Sequence, residues 1–493
     1  MKMRVNVEEI REKKLIDARL LGSLQGVTEV FQIPAKKLLT KNRFDVAIKL
    51  AYLKYREWSP EFATRCYDKH IRAFGLGNYV EPNQPHKDCL EAFLLDFERT
   101  ARSIQHDGFD ERISVIPLAR DGSILNGSHR VASAIAAGKN VTCIKLDVTP
   151  STYDYKFFVQ RGVDQSIALA ALEAVATYVP TVRAALIWPR EAVLTTAHAS
   201  ELTNAAYFSE SISVSLKELA ACIRQVYAGS EWLGNPKNGY KGSFEKASNC
   251  YVEGQDLRLV IFDSEDFSNI SNLKERIRAL GGSGKHVLHI SDGIEDSKAA
   301  WRSLLNINFR LATAIERFDY GVRRDERVCD IHSALRDLQI SSDECCIVSG
   351  SVMEVLGLRD ARDVDVISRR QPTKSGDLLD FSEGKNSYLH HSPDQIICDP
   401  TYHFHYNGIK YLAPEELRKF YANRYGEAGD VKDRMSSALI PVLDKSSGFW
   451  QGVGAKIFFA KLKAVRSLKS VVRSSLKKAG LLEFAKKMIR AAR

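Results

Sequence analysis

The sequence predicts a multidomain chain of mixed α/β and α+β type, on three observations. At 493 residues it exceeds what one hydrophobic core usually serves, so two to four domains are expected. Apolar runs of strand length alternate with helical stretches along the whole chain. Residues 108–148 read strand, hairpin, strand at Ile124-Leu125, turn, helix, strand, and residues 345–367 read strand, glycine-serine turn, helix, strand. The composition, 44% hydrophobic and 27% charged, is that of a folded globular protein rather than a disordered one.

Residues 1–150 form the first unit. VFQIPAKKLLTKNRFDVA supplies a strand and a polar bend. In the segment GFDERISVIPLARDGSILNGSHRVASAIAAGKNVTCIKLDV, Ile113 to Leu118 reads as a strand and Asp121-Gly122 as a tight turn. Asn126-Gly127-Ser128-His129-Arg130 then opens a helix that closes at Gly138. Free N–H groups, the helix dipole and a guanidinium at such a start suit an anion. These residues resemble the ParB/sulfiredoxin superfamily, and NGSHRVASA is closest to its free-serine-kinase form. The resemblance covers residues 25–148 and implies nucleotide phosphates at Asn126, Gly127, Ser128, His129 and Arg130. It also implies a general base for a substrate hydroxyl, either Glu29 or Asp45, near Arg43. Ser128 stands where sulfiredoxin has its cysteine, so reductase chemistry is not expected.

Residues 151–298 carry fewer signals. STYDYKFFVQRG is an aromatic cluster, SIALAALEAVATYV a buried helix and AALIWP a strand. A βαβ-like unit follows: Leu257 to Phe262, a helix over Asn272 to Leu280, the loop GGSGK and a strand from His286 to Ile290. GGSGK fails as a phosphate-binding P-loop because it follows a helix and leads into a strand, the reverse of what that loop requires. His286 and His289, three apart on a strand, face opposite sides and make poor joint metal ligands. His403 and His405 share a face, and a role in sheet packing is expected for them.

Residues 299–450 hold the most informative stretch. After the apolar strand CCIV, Gly350-Ser351 makes a turn, VMEVLGL a short helix, and DVDVI a strand. Side chains alternate along a strand, so Asp363 and Asp365 project together while Val364 and Val366 point into a core. Two carboxylates that close repel unless a cation lies between them, which points to Mg²⁺ or Mn²⁺. The order glycine-serine, helix, Asp-x-Asp resembles the DNA-polymerase-β-like nucleotidyltransferases over roughly residues 300–440. That resemblance implies a metal held by Asp363, Asp365 and a third acid, for which Asp399 is the candidate and Asp394 the fallback, with Gln395 to Cys398 as its strand. It implies ATP, CTP or another NTP as substrate, with phosphates on Gly350 and Ser351. PEELRKFYANRYGEAGDVKDR reads as a helical pair, with Lys419, Arg424 and Lys432 available to phosphates.

The net charge of +10 is local. Residues 456–493 contain twelve Lys or Arg against Glu483, a sum of +11, so residues 1–455 sum to −1. A neutral body disfavours a nucleic-acid clamp. The tail, residues 455–493, alternates apolar and basic residues at helical spacing, which suits an anionic membrane surface, with RNA as the alternative partner. No apolar run reaches the length of a membrane span and MKMRVNVEEIREKKL lacks a secretory segment, so a cytoplasmic location, peripheral to the inner face of a bacterial membrane, is expected. Nine cysteines without CxxC spacing read as reduced, mostly buried thiols.

The combination is similar to large bacterial proteins associated with surface-polysaccharide gene sets. That similarity implies a small-molecule or glycan-precursor substrate, and with the two resemblances above the expected activity is a Mg²⁺-dependent nucleotidyltransferase, joined to a small-molecule kinase, acting on a phosphorylated sugar, polyol or similar precursor. The alternatives are an RNA-directed transferase or defence factor, and a membrane-tethered scaffold without catalysis.

Overall fold

The fold was analysed in a computed structural model, which describes residues 2–440 apart from 25–26, 82–83, 85, 190–199, 282–283, 318–323, 373–377 and 430, together with Leu468. Helices surround three small sheets that follow one another along the chain, a mixed α/β and α+β arrangement. No described helix is long and apolar enough to cross a membrane.

The first sheet has the order β1-β2-β4-β3, from Lys2–Asn6 (β1), Val27–Pro34 (β2), Ile116–Leu118 (β3) and Asn140–Lys145 (β4). β3 and β4 are parallel, joined through the helix Ser128–Ala136, while the other pairs are antiparallel. Strand alternation divides its residues between two cores. Phe31, Ile33, Ile116 and Cys143 face the helices, whereas Val30, Ile144 and Leu146 close a small core with Ile10, Leu15 and Leu24. The expected strand from Ile113 begins only at Ile116. Asp110 accepts from the Arg112 backbone N–H at 2.9 Å and makes a turn there, leaving Ile113 exposed.

The second sheet, β6-β7-β5-β8, comprises Val182–Ile187 (β5), Ala206–Ile212 (β6), Leu257–Asp263 (β7) and Leu288–Ile290 (β8), every neighbouring pair antiparallel. The expected strand–helix–strand unit is present as β7, Ile270–Gly281 and β8, but β5 lies between its two strands. His286 falls in a 3-10 turn ahead of β8.

The third sheet, β11-β10-β9-β13-β12, comprises Cys345–Val348 (β9), Val364–Ser368 (β10), Leu379–Asp380 (β11), His403–Tyr406 (β12) and Ile409–Leu412 (β13). Asn407 and Gly408, both at positive φ, turn the β12–β13 hairpin. His403 and His405 are buried in it with ring centroids 5.1 Å apart, as their shared face predicts. The helical pair appears as Pro414–Ala428 and Val431–Leu439.

One element is corrected. Gln395 to Cys398 is a helix, Pro393–Cys398, because Ser392 and Gln395 form a capping box and Pro393 fits the first turn. An apolar run this short does not distinguish strand from helix.

Buried polar groups tie the regions together. Glu173, on the helix Gln165–Tyr178, receives Trp301 Nε1 at 2.8 Å and two 2.7 Å bonds from Arg302 of the helix Ile294–Leu305. Arg302 also reaches Asp343, ahead of β9, at 3.2 Å, and Lys54 Nζ donates to the Glu173 carbonyl at 3.2 Å. All nine cysteines are free and seven are buried, as expected of reduced thiols.

Candidate functional site

The C-terminal candidate is built on β9 and β10, which run antiparallel with Asp365 opposite Val348. Between them lie Ser349, the short helix Gly350–Val355 and a loop. Ser349 has φ +60° and ψ −133°, a conformation that costs an L-residue about 1–3 kcal/mol and concentrates at functional turns. The Ser351 hydroxyl donates to the Asp363 carbonyl at 2.9 Å and so fixes the turn against the start of β10. Val364 and Val366 are buried while Asp363 is exposed and Asp365 half-buried, the alternation expected. Asp363 lies one residue ahead of β10.

Beside Asp365, in parallel register on β11, stands Asp380. Lys385 Nζ bridges the two carboxylates, 3.2 Å from Asp365 Oδ1 and 3.5 Å from Asp380 Oδ2, and donates to the Asp380 carbonyl at 2.5 Å. Lys385 is 8% exposed. The neighbouring acids therefore have their cation, and the chain itself supplies it. Neither Asp380 nor Lys385 was expected from the sequence.

The third acid expected from the sequence is placed elsewhere. Asp399 is buried at the end of the helix Pro393–Cys398, where it pairs with Arg65 of the helix Pro60–Gly75 at 2.6 Å and accepts from the Thr401 N–H at 2.9 Å. Burial raises its carboxyl above the ordinary carboxylate value, against the pull of Arg65. It leads into β12, separated from β10 by β13 and β9, roughly 14 Å at ordinary strand spacing. The fallback, Asp394, pairs with Arg369 at 3.1 Å, just past the far end of β10 from Asp363. Among the described residues no three His, Cys, Asp or Glu side chains are grouped to hold a metal ion. What the site offers is Asp365 and Asp380, bridged by Lys385, with Asp363 one residue ahead of β10. Mg²⁺ is commonly held by one or two carboxylates completed by substrate phosphates, which asks less of a site than a three-acid group.

The basic residues of the helical pair are already engaged. Lys419 pairs with Glu416 at 2.8 Å and Arg424 with Asp433 at 3.1 Å. The Lys432 side chain and, apart from Leu468, the tail 456–493 lie outside the described residues.

At the N-terminal candidate, Gly127 has φ +92° and precedes the helix Ser128–Ala136 as its cap. A Cβ there would lie 2.8 Å from Ile116 Cδ1 and 2.9 Å from Arg130 Nη2, so only glycine lets Arg130 fold over the turn. Asn126 Oδ1 accepts from the Gly127 N–H at 2.5 Å, and its amide donates to Asp17 at 3.1 Å. Ser128 is the first helical residue. Arg130 has no carboxylate partner among the described residues, and burial lowers its pKa.

Two residues expected here are committed to the interior. His129 Nε2 lies 2.8 Å from the Tyr67 hydroxyl and its ring packs on Phe97 at 4.8 Å. Burial, with Lys49 and His70 nearby, holds it well below the usual imidazole value and therefore neutral. Asp45 is fully buried, gripped by Arg43 at 2.8 and 2.9 Å and by Lys49 at 3.2 Å. Burial would raise its carboxyl, but Arg43 and Lys49 outweigh that and hold it well below the carboxylate range. An acid so placed is a poor general base. Glu29 differs: it is exposed on β2, one residue beyond the Val30–Ile144 pair. By alternation it shares the face of Phe31, at the sheet end where the helix Ser128–Ala136 begins.

In comparisons with protein-family models, curated proteins and solved structures, the chain matches none.

Proposed function

We propose that the chain is a Mg²⁺-dependent nucleotidyltransferase that acts on a phosphorylated sugar, polyol or similar glycan precursor, with an N-terminal nucleotide site able to serve a small-molecule kinase. The observation that carries this reading is the Ser351 bond to the Asp363 carbonyl, which fixes a glycine-serine turn beside Asp363 and Asp365, the first just ahead of β10 and the second on it. Asp363 and Asp365, with Asp380 alongside, would hold the metal, and Gly350 and Ser351 would seat the phosphates of ATP, CTP or another NTP. When bound, Mg²⁺ supplies charge neutralisation at the polyphosphate and lowers the pKa of an acceptor hydroxyl. At the other site the Asn126–Arg130 turn would receive a phosphate, and Glu29 would be the acid that takes a hydroxyl proton.

The test is NTP turnover by the full chain with candidate sugar phosphates and polyols. Asp363→Asn with Asp365→Asn should abolish Mg²⁺-dependent pyrophosphate release, and turnover that survives the double substitution refutes the assignment. A second reading is favoured by Lys385, whose ammonium already lies between Asp365 and Asp380. On it the site is a scaffold that binds nucleotide without turning it over, and the double variant would still complement a deletion strain.

A further inference from the structure

Among the arginines of the C-terminal region, Arg359 stands apart. It lies in the loop between the helix Gly350–Val355 and β10 and is half-buried. Among the described residues no carboxylate pairs with it. Every other non-exposed arginine described between residues 300 and 440 has a carboxylate oxygen within 3.4 Å. Its Nη2 donates to the Tyr421 hydroxyl at 2.9 Å, while its Nε is buried with no hydrogen-bond partner. Desolvating a guanidinium without a counter-charge is costly, and an anion removes that cost.

The guanidinium also has a specific place. A Cβ built on Gly350 would lie 3.8 Å from Arg359 Nη2 and 3.5 Å from the Ala361 methyl, so the charge sits beside the glycine-serine turn. Tyr421, on the helix Pro414–Ala428, holds it there. The residue before the turn, Ser349, is the one in the strained conformation.

We propose that Arg359 is the residue that grips the polyphosphate at this site and makes it select triphosphates over monophosphates. The inference rests on the nucleotidyltransferase reading and adds a recognition residue that the sequence motif does not contain. An arginine offers a fork of N–H donors, which suits phosphate oxygens better than the single ammonium of a lysine.

The test is calorimetric binding of inorganic tripolyphosphate and of AMP, with Mg²⁺, to the full chain in an Arg130→Met background that silences the N-terminal turn. Arg359→Met should weaken tripolyphosphate binding at least ~30-fold while AMP changes less than about twofold, as expected for lost charge-assisted hydrogen bonds. Arg359→Lys should recover part of the loss. If Arg359→Met binds tripolyphosphate as its parent does, the proposal falls and the nucleotidyltransferase reading stands. If the parent binds no tripolyphosphate with or without Mg²⁺, both fall. Should Arg359→Met fail to fold, as judged by circular dichroism, Tyr421→Phe decides. A loss of roughly three- to tenfold for tripolyphosphate alone supports the role, since one orienting bond is removed, and unchanged binding overturns it.

Discussion

Replacing Glu173 by glutamine removes one negative charge from a buried ion pair and leaves Arg302, among the described residues, with the half-exposed Asp343 as its carboxylate partner. Burial alone would raise the Glu173 carboxyl, but Arg302 overrides it and brings the value from 4.5 down to about 2. That displacement corresponds to about 3 kcal/mol at 1.36 kcal/mol per pH unit, and stranding one partner of a buried pair costs a similar 3–5 kcal/mol. Glu173 is 7% exposed, so solvent screening takes little away. The sign follows from linkage. The folded value lies below the unfolded one, so the stabilisation is complete above the ordinary carboxyl value and is lost as pH falls toward the folded value. The difference between the parent protein and Glu173→Gln should therefore be about 3 kcal/mol at pH 7 and about 2 kcal/mol at pH 3.5. Urea denaturation followed by tryptophan fluorescence reads it directly, since Trp301 shares the same carboxylate. A difference below about 1 kcal/mol at pH 7, or one that does not shrink in acid, would show that Arg302 gains as much from water or Asp343 as from Glu173.

Two further outcomes are expected. Gly127→Ala forces a side chain into a left-handed conformation and against Ile116 and Arg130, so it should cost about 1–2 kcal/mol in urea denaturation and abolish ATP binding by the N-terminal turn in a thermal-shift titration. Lys385→Met withdraws the ammonium from between Asp365 and Asp380, so Mn²⁺ should bind there about tenfold more tightly, read by electron paramagnetic resonance. Equal Mn²⁺ affinity in the two proteins would count against that competition.

The strand–turn–helix–strand unit around Asp365 was legible in the sequence because its signals are local: a four-residue apolar strand, a glycine, and strict alternation in DVDVI. The helical pair over residues 414–439 was legible for the same reason, whereas the hairpin at Asn407-Gly408 went unread although Asn-Gly is a local turn signal. What else escaped depends on contacts that spacing does not encode. Asp380 reaches Asp365 through a two-residue strand too short to carry a pattern, and Lys385 arrives from the turn after it. Asp45 looked available because spacing alone does not show that it is buried between Arg43, two residues before it, and Lys49, four residues after. His129 turned inward because Tyr67, distant in sequence, offered its hydroxyl.

The ion pair of Arg65 with Asp399 spans most of the chain's length, and Gln395 adds a hydrogen bond to Glu61 beside it. A gene fragment encoding only one of these regions would uncover the remaining charge to water and lose the pair. A chimaera that exchanges the region of Arg65 keeps this contact only if an arginine arrives opposite Asp399.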